Sequence, residues 1–267
     1  MAGSSHQDIL NIEVDKDPEQ GATLGEELIQ VMNDSGMKPY FEEESVPNTE
    51  IEYNASSSKP AYDENRAKLR KGNFIKGILD IDEGMTSYQM TKIAVEYGNK
   101  AKKIAKEAYP KDSNTEDAYR HFSWNHISTR SMGSKTTTKA TKNHEWGLLL
   151  LEPASNYYRN EYNGYRKKGY SDQNAATKAY GKTITWLPTA KDGYKKLCKS
   201  NYKFFKLFMK NGNIMDFNNN YYGVNFASKY SSYATAFSKA KAAKVLLLVE
   251  NAAADRNFKS VWINNRY

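Results

Sequence analysis

The chain has 267 residues, 39% of them hydrophobic, a net charge of +8 and a single cysteine. That length supports a substantial core in one or two domains. Cys198 alone excludes an internal disulfide framework and a cysteine-built zinc site, and reads as a small buried apolar residue.

The opening residues, MAGSSHQDIL, lack the basic start and apolar middle of a cleaved signal peptide. No run approaches the roughly 18 apolar residues that span a bilayer. The longest aliphatic runs are Leu148 to Leu151 and Val245 to Val249. The expectation is a protein that is cytoplasmic before export and is secreted or delivered without a cleaved signal peptide. Residues 1–60 carry 13 acidic and 3 Lys/Arg residues, which leaves +18 for the remainder. An acidic leader ahead of a basic body suits a tail plus a domain that meets an anionic substrate or polymer. Nucleic acid, anionic lipid and acidic cell-wall polymer all qualify. Pro18, Gly21, Gly36 and Pro39 interrupt any long periodicity in the leader, and SVPNTE and NASSSKP are turn-rich. It is expected to be a weakly ordered tail, linker or delivery segment, with a short helix over 23–32, or a strand or two that pairs with the body.

Residues 61–267 are expected to form an all-α, multi-helix globular domain, because helical periodicity dominates and strand-like alternation is scarce. Ile93, Tyr97, Ala101, Ile104, Ala105 and Ala108 share one helix face, and Pro110 follows its end. SNTEDAYRHFSWNH opens the next helix, with Ser113 and Glu116 spaced as a capping box and a predicted end near Gly133. A third helix is predicted from about Lys135 to Leu151, stopping at Pro153. Asp172 to Tyr180 reads as a short helix, Pro188 as a turn, and Lys191 to Met209 as a basic helix. NGNIMDFNNNYYG reads as a compact polar loop that can open a helix turn, and Tyr233 to Asp255 as the last long helix.

The stretch from Asp117 to Glu145 holds three of the four histidines: His121, His126 and His144. Asp117, His121 and Asn125 follow at i, i+4 and i+8, so they line one helix face beside Trp124 and Ser128. A carboxylate one turn from a histidine orients the ring and raises its basicity. His126 lies about 140° round the same helix and cannot share that face. His144 and Glu145 diverge by about 100°, and the zinc-protease pattern is absent because no histidine stands four residues after His144. Asp216, Asn219 and Asn220 form the third element, although Asp and Asn are also common turn residues.

Together these elements suggest a site in which His121, His144 and Asp216 hold a divalent metal, zinc for preference, with a bound water as nucleophile. His121, Asp117, Glu145 and Asn125 are the candidate catalytic residues, Glu145 or Asp117 acting as general base. Arg120, Trp124, Asn219 and Asn220 are the candidates to hold substrate. A metal-free route is also open, with His121 as base and an asparagine holding an oxyanion.

DAYRHFSWNH, NHE and MDFNNNYYG, taken in that order, resemble the three motifs of an uncharacterised all-helical bacterial domain family. Its members often sit at the C-terminal end of secreted or toxin-like proteins. The matching positions are Asp117, Ala118, Arg120, His121, Trp124, Asn125, His144, Glu145, Asp216, Asn219, Asn220 and Gly223, and Tyr119 replaces the usual Phe. The resemblance covers roughly residues 111–225, with a long insertion before Asp216, and the asparagine pair can instead be Asn218 and Asn219. It implies a helical domain with a polar cluster where three segments converge, and no established reaction.

The expected function is a toxin- or effector-like hydrolase acting on an anionic phosphoester or lipid, with a possible cognate inhibitor protein as partner. Two alternatives stand beside it. One is a non-catalytic module that grips nucleic acid or cell-wall polymer through residues such as Tyr157, Tyr158, Tyr162, Tyr165, Tyr170, Tyr221 and Tyr222 among basic side chains. The other is a structural, particle-associated protein.

Overall fold

The computed structural model describes residues 60–249 and 255–267. The acidic leader and its short helix over 23–32 therefore lie outside the described residues. Every regular element among the described residues is helical, as the periodicity predicts. The described residues divide into two compact units, one built from Gly84–Glu145, 195–249 and 255–267, the other from 60–83 and Trp146–Tyr194.

The second unit holds α1 (Pro60–Leu69), α2 (Gly72–Asp82), α7 (Leu151–Lys167) and most of α8 (Asp172–Ser200). Almost all of α2 is buried, including Lys76 and Asp80, which pair with each other one turn apart. Backbones approach closely here: a Cβ on Gly147 would lie 2.4 Å from the Gly72 carbonyl oxygen. Tyr157 stacks on Trp186 with ring centroids 4.3 Å apart, and Tyr62 covers Tyr158 at 5.1 Å. The helix predicted from about Lys135 to Leu151 ends at Leu149, and Pro153 lies in the first turn of the next helix, α7, where its missing N–H has no intrahelical acceptor to lose. One expectation fails in this unit. Pro188 makes no turn: it lies inside the continuous α8, flanked by buried Ile184, Trp186, Leu187 and Ala190. An interior proline costs about 3 kcal/mol, and burial of these neighbours, at about 1.5–3 kcal/mol for each large side chain, outweighs it.

The first unit holds α3 (Ser87–Met90), a π-helical stretch (Thr91–Tyr97), α4 (Gly98–Ala108), α5 (Ser113–Met132), most of α6 (Ser134–Leu149), α9 (Tyr202–Phe208), α10 (Asn211–Ala227), α11 (Tyr233–Ala242) and α12 (Asp255–Ile263). Ile93, Tyr97, Ala101 and Ala105 form the buried face read from the sequence. The face is not one regular helix, because the π-helical stretch shifts its phase before α4. The Ile93 carbonyl accepts the Gly98 N–H in π register and also the Trp124 indole N–H at 2.7 Å.

The cap of α5 is Asp112, not Ser113: the Asp112 carboxylate accepts from Thr115 N–H at 3.0 Å. A carboxylate there also meets the positive end of the helix dipole. Gly133, at φ +81°, joins α5 to α6 in a conformation that side-chain-bearing residues rarely adopt.

The segment expected to be a polar loop is the helix α10. Its asparagines would ordinarily compete with the helix for backbone hydrogen bonds, but here their amides are engaged elsewhere. Asn218 Nδ2 donates to Val245 O at 2.9 Å and Asn219 Nδ2 to Leu247 O at 2.8 Å. Leu247 N–H donates back to Asn219 Oδ1 at 3.0 Å. Those bonds fall on residues expected to lie inside a helix over 233–255. That helix ends at Ala242, the chain turns at Lys244 with φ +56°, and the aliphatic run that follows is non-helical and hydrogen-bonded to α10. Tyr119, Phe122, Phe237, Ala240 and Leu246 form the apolar core beside it.

Candidate metal centre

α5 and α10 pack at unusually short range. A Cβ on Gly223 would lie 2.4 Å from the Phe122 carbonyl oxygen and 2.8 Å from Asn125 Cβ, so only glycine allows the crossing. One turn before Gly223 stands Asn220, and one turn before that Asp216. The close crossing therefore sets these two side chains against the Asp117–His121–Asn125 face of α5.

His121 is the centre of the cluster, with its side chain 3% exposed. Its Nδ1 lies 3.2 Å from Asn220 Oδ1. Asn125 Nδ2 donates to the same oxygen at 2.6 Å, and Asn220 Nδ2 donates to Glu145 Oε1 at 2.9 Å. These bonds fix the Asn220 amide with its oxygen toward the ring, so the His121 proton belongs on Nδ1. The Nε2 lone pair then faces the other way. There it lies 3.7 Å from Asp117 Oδ1 and 3.3 Å from Asp216 Oδ1. Arg120 Nη2 donates to Nε2 at 3.0 Å, which requires an acceptor at that atom and assigns the same tautomer independently.

Burial, reinforced by the Arg120 charge, pushes the His121 pKa down to about 3, so the ring is neutral at physiological pH. Burial works to raise the Asp117 carboxyl, but the neighbouring imidazole and the Arg120 guanidinium outweigh it and hold Asp117 below the usual carboxylate range. Arg120 also donates directly to Asp117 Oδ1.

Asp117, His121 and Asp216 offer one ligand atom each, all within 4.8 Å of one another, and this group can hold a metal ion. Its floor is buried and its rim is not: the side chains of Asp117, Arg120 and Asp216 are 30%, 31% and 15% exposed.

The expected ligand set was His121, His144 and Asp216. His144 is close, with its ring centroid 6.4 Å from that of His121, but it does not belong to the converging group; Asp117 does. Glu145 is fully buried and reaches His121 through Asn220, its own Oε1 lying 3.7 Å from His121 Nδ1. Of the expected substrate residues, Arg120 is at the rim. Trp124 is buried, its indole N–H held by Ile93 O and its ring edge-on to His144 at 5.3 Å. Asn220 orients His121, whereas Asn219 holds the non-helical segment at Leu247. His126 lies off the face, as its register requires, with Nε2 2.9 Å from Tyr230 O.

Arg266 was not anticipated. It donates to Asn218 Oδ1 at 2.7 Å and lies over the rings of Tyr221 and Tyr222, bracing α10 from the C-terminal end of the chain. No motif marks it. Tyr157, Tyr158 and Tyr162, proposed for a stacking surface, are buried, while Tyr170 and Tyr221 are exposed. Cys198 is buried, as expected, and burial pushes its thiol up to about 12. No family model matches the chain, and no curated protein or solved structure matches it.

Proposed function

We propose that the chain is a hydrolase in which a divalent cation, held by Asp117, His121 and Asp216, activates water against an anionic ester. The observation that carries this reading is the spacing of the three ligand atoms around a neutral imidazole. Ligands about 2.1 Å from a tetrahedral zinc lie roughly 3.4 Å apart. The Nε2–carboxylate separations of 3.7 and 3.3 Å straddle that value. Imidazole plus carboxylates suits zinc, which keeps a fourth position for water and brings its pKa to about 7. The Glu145–Asn220–His121 chain supplies the support behind the ligand that such sites use to fix tautomer and ring. Arg120 at the rim and the basic body favour an anionic substrate such as a phosphoester or a lipid headgroup. The wider reading, a toxin- or effector-like domain that is secreted and restrained by a cognate inhibitor, rests on the motif resemblance.

The test is metal content and hydrolysis on the same preparations. The full chain, purified without chelator and supplied with zinc, is expected to hold one ion, by elemental analysis, and to cleave bis(p-nitrophenyl) phosphate. His121→Ala and Asp216→Asn should lose the ion and at least about 100-fold in rate, at or beyond the upper end of the roughly 10–100-fold that loss of a ligand's supporting partner costs. Folded variants that keep both the ion and the rate would refute the site. Chelator-resistant hydrolysis that still needs His121 would move the reading to the metal-free base.

A further inference from the structure

Arg120 makes two contacts that a metal ion would also make. Its Nη2 donates to Asp117 Oδ1 and, at 3.0 Å, to His121 Nε2. An imidazole nitrogen has one lone pair. Nε2 can accept a guanidinium N–H or bind a cation, and cannot do both. The tautomer leaves no alternative, because Nδ1 is committed to Asn220 Oδ1. A cation entering this group must therefore displace Arg120.

Resting on the hydrolase reading, we propose that Arg120 is an exchange residue: its guanidinium neutralises Asp117 and occupies the His121 Nε2 lone pair until a divalent cation takes that lone pair, and then turns outward to bind the phosphate group of the substrate. The geometry permits the turn. Arg120 is at the rim, about one-third exposed, and the neighbouring carboxylates give it no reason to leave unless a stronger cation replaces it. Once displaced, a planar fork of donors stands beside a metal-bound position, and that fork matches two oxygens of a phosphate. The displaced cation thus becomes the anion's clamp, and an anionic substrate is held only after the metal is in place.

The exchange has opposite consequences for the two ligands, which makes it testable. Zinc binding to metal-free wild-type protein and to Arg120→Gln is measured by calorimetric titration in a non-chelating buffer. The zinc-loaded proteins are then titrated with inorganic phosphate and, in a separate arm, with monomeric dihexanoyl phosphatidylglycerol. Arg120→Gln is expected to bind zinc at least tenfold more tightly than wild type, because nothing has to be displaced. It is expected to bind phosphate, the lipid headgroup, or both at least tenfold more weakly. The arm that responds identifies the source of the phosphate. Arg120→Lys, which keeps the charge but loses the fork, should also lose phosphate affinity, and it serves if the glutamine variant fails to fold. Zinc affinity unchanged or weakened in Arg120→Gln, with wild type still binding zinc, overturns the exchange and leaves the hydrolase reading standing. So does phosphate and headgroup binding that is indifferent to Arg120. Zinc binding by neither protein removes the metal site and the exchange together.

Discussion

Lys76 with Asp80 on α2 and Asp117 with His121 and Asp216 across α5 and α10 are both clusters of ionisable groups under the surface, and they are built on opposite terms. Lys76 and Asp80 are one positive and one negative charge, their side chains 3% and 0% exposed, one turn apart on a single helix. The second cluster gathers two carboxylates and one guanidinium around a neutral imidazole, and three of its four side chains reach solvent. Charges balanced one for one and sealed from water hold a fold in register. A surplus of ligand atoms over cations, open on one side, leaves capacity to bind something. The contrast is also one of helix count: the sealed pair needs only α2, whereas the open cluster exists only because Gly223 lets α10 approach α5.

The largest effect should come from breaking the sealed pair. Lys76→Met leaves the Asp80 charge in a buried site and is expected to cost about 3–5 kcal/mol of stability in urea unfolding. Lys76→Met with Asp80→Leu should recover most of that loss, because replacing both charges removes the desolvation penalty as well as the attraction. Neither change should alter the zinc stoichiometry. A Lys76→Met protein as stable as wild type would show that the pair is not the sealed element described.

A smaller effect is expected behind the open cluster. Glu145→Gln keeps the shape but puts an amide where Asn220 Nδ2 donates at 2.9 Å. Either the amide turns its oxygen to Asn220 and keeps that bond, or it presents its nitrogen, the Asn220 orientation reverses and His121 is driven toward the other tautomer. Partners of this kind are worth about 10–100-fold in metal affinity. Zinc titration of Glu145→Gln is expected to fall in that range without loss of the ligands themselves. Unchanged affinity would reduce Glu145 to a packing role.

How much of this was legible depended on whether one helix or two had to be known. The face shared by Asp117, His121 and Asn125, and the exclusion of His126 from it, follow from 3.6 residues per turn and reappear in the structure. The helix after Asp112 and its end at Gly133 followed from local capping chemistry, within one residue at the start. The errors share a cause. Asn218, Asn219 and Asn220 signal a loop by intrinsic preference, and α10 forms because each amide has a distant partner at Val245, Leu247 or Glu145. Pro188 signals a turn, and α8 runs through it because its flanks are buried. In both places tertiary contacts outweighed local propensity, and a single sequence does not display those contacts. The replacement of His144 by Asp117 in the converging group has the same origin, since it turns on how α6 and α10 meet α5.

The smallest effect is a dependence on pH that belongs to the open cluster and not to the sealed pair. His121 has an ordinary pKa of 6.5 and about 3 in the folded protein. Below pH 6.5 the unfolded chain therefore takes up a proton that the folded protein refuses. The stability contributed by the neutral ring is complete above about pH 6.5 and is lost progressively as pH falls toward 3, at no more than about 1.4 kcal/mol per pH unit. His126 is lowered by burial in the same direction and adds to the slope. The stability that Asp117 contributes, held low as it is, is complete above the ordinary carboxylate pKa and is lost only below it, so its titration falls outside the window from pH 6.5 to 5. Urea midpoints of metal-free protein should decline across that window, and His121→Gln should flatten the decline by up to one proton's worth. A wild-type midpoint constant from pH 7.5 to 5 would mean that His121 accepts a proton in place, and Nε2 would then not be the standing lone pair that both the metal and Arg120 require.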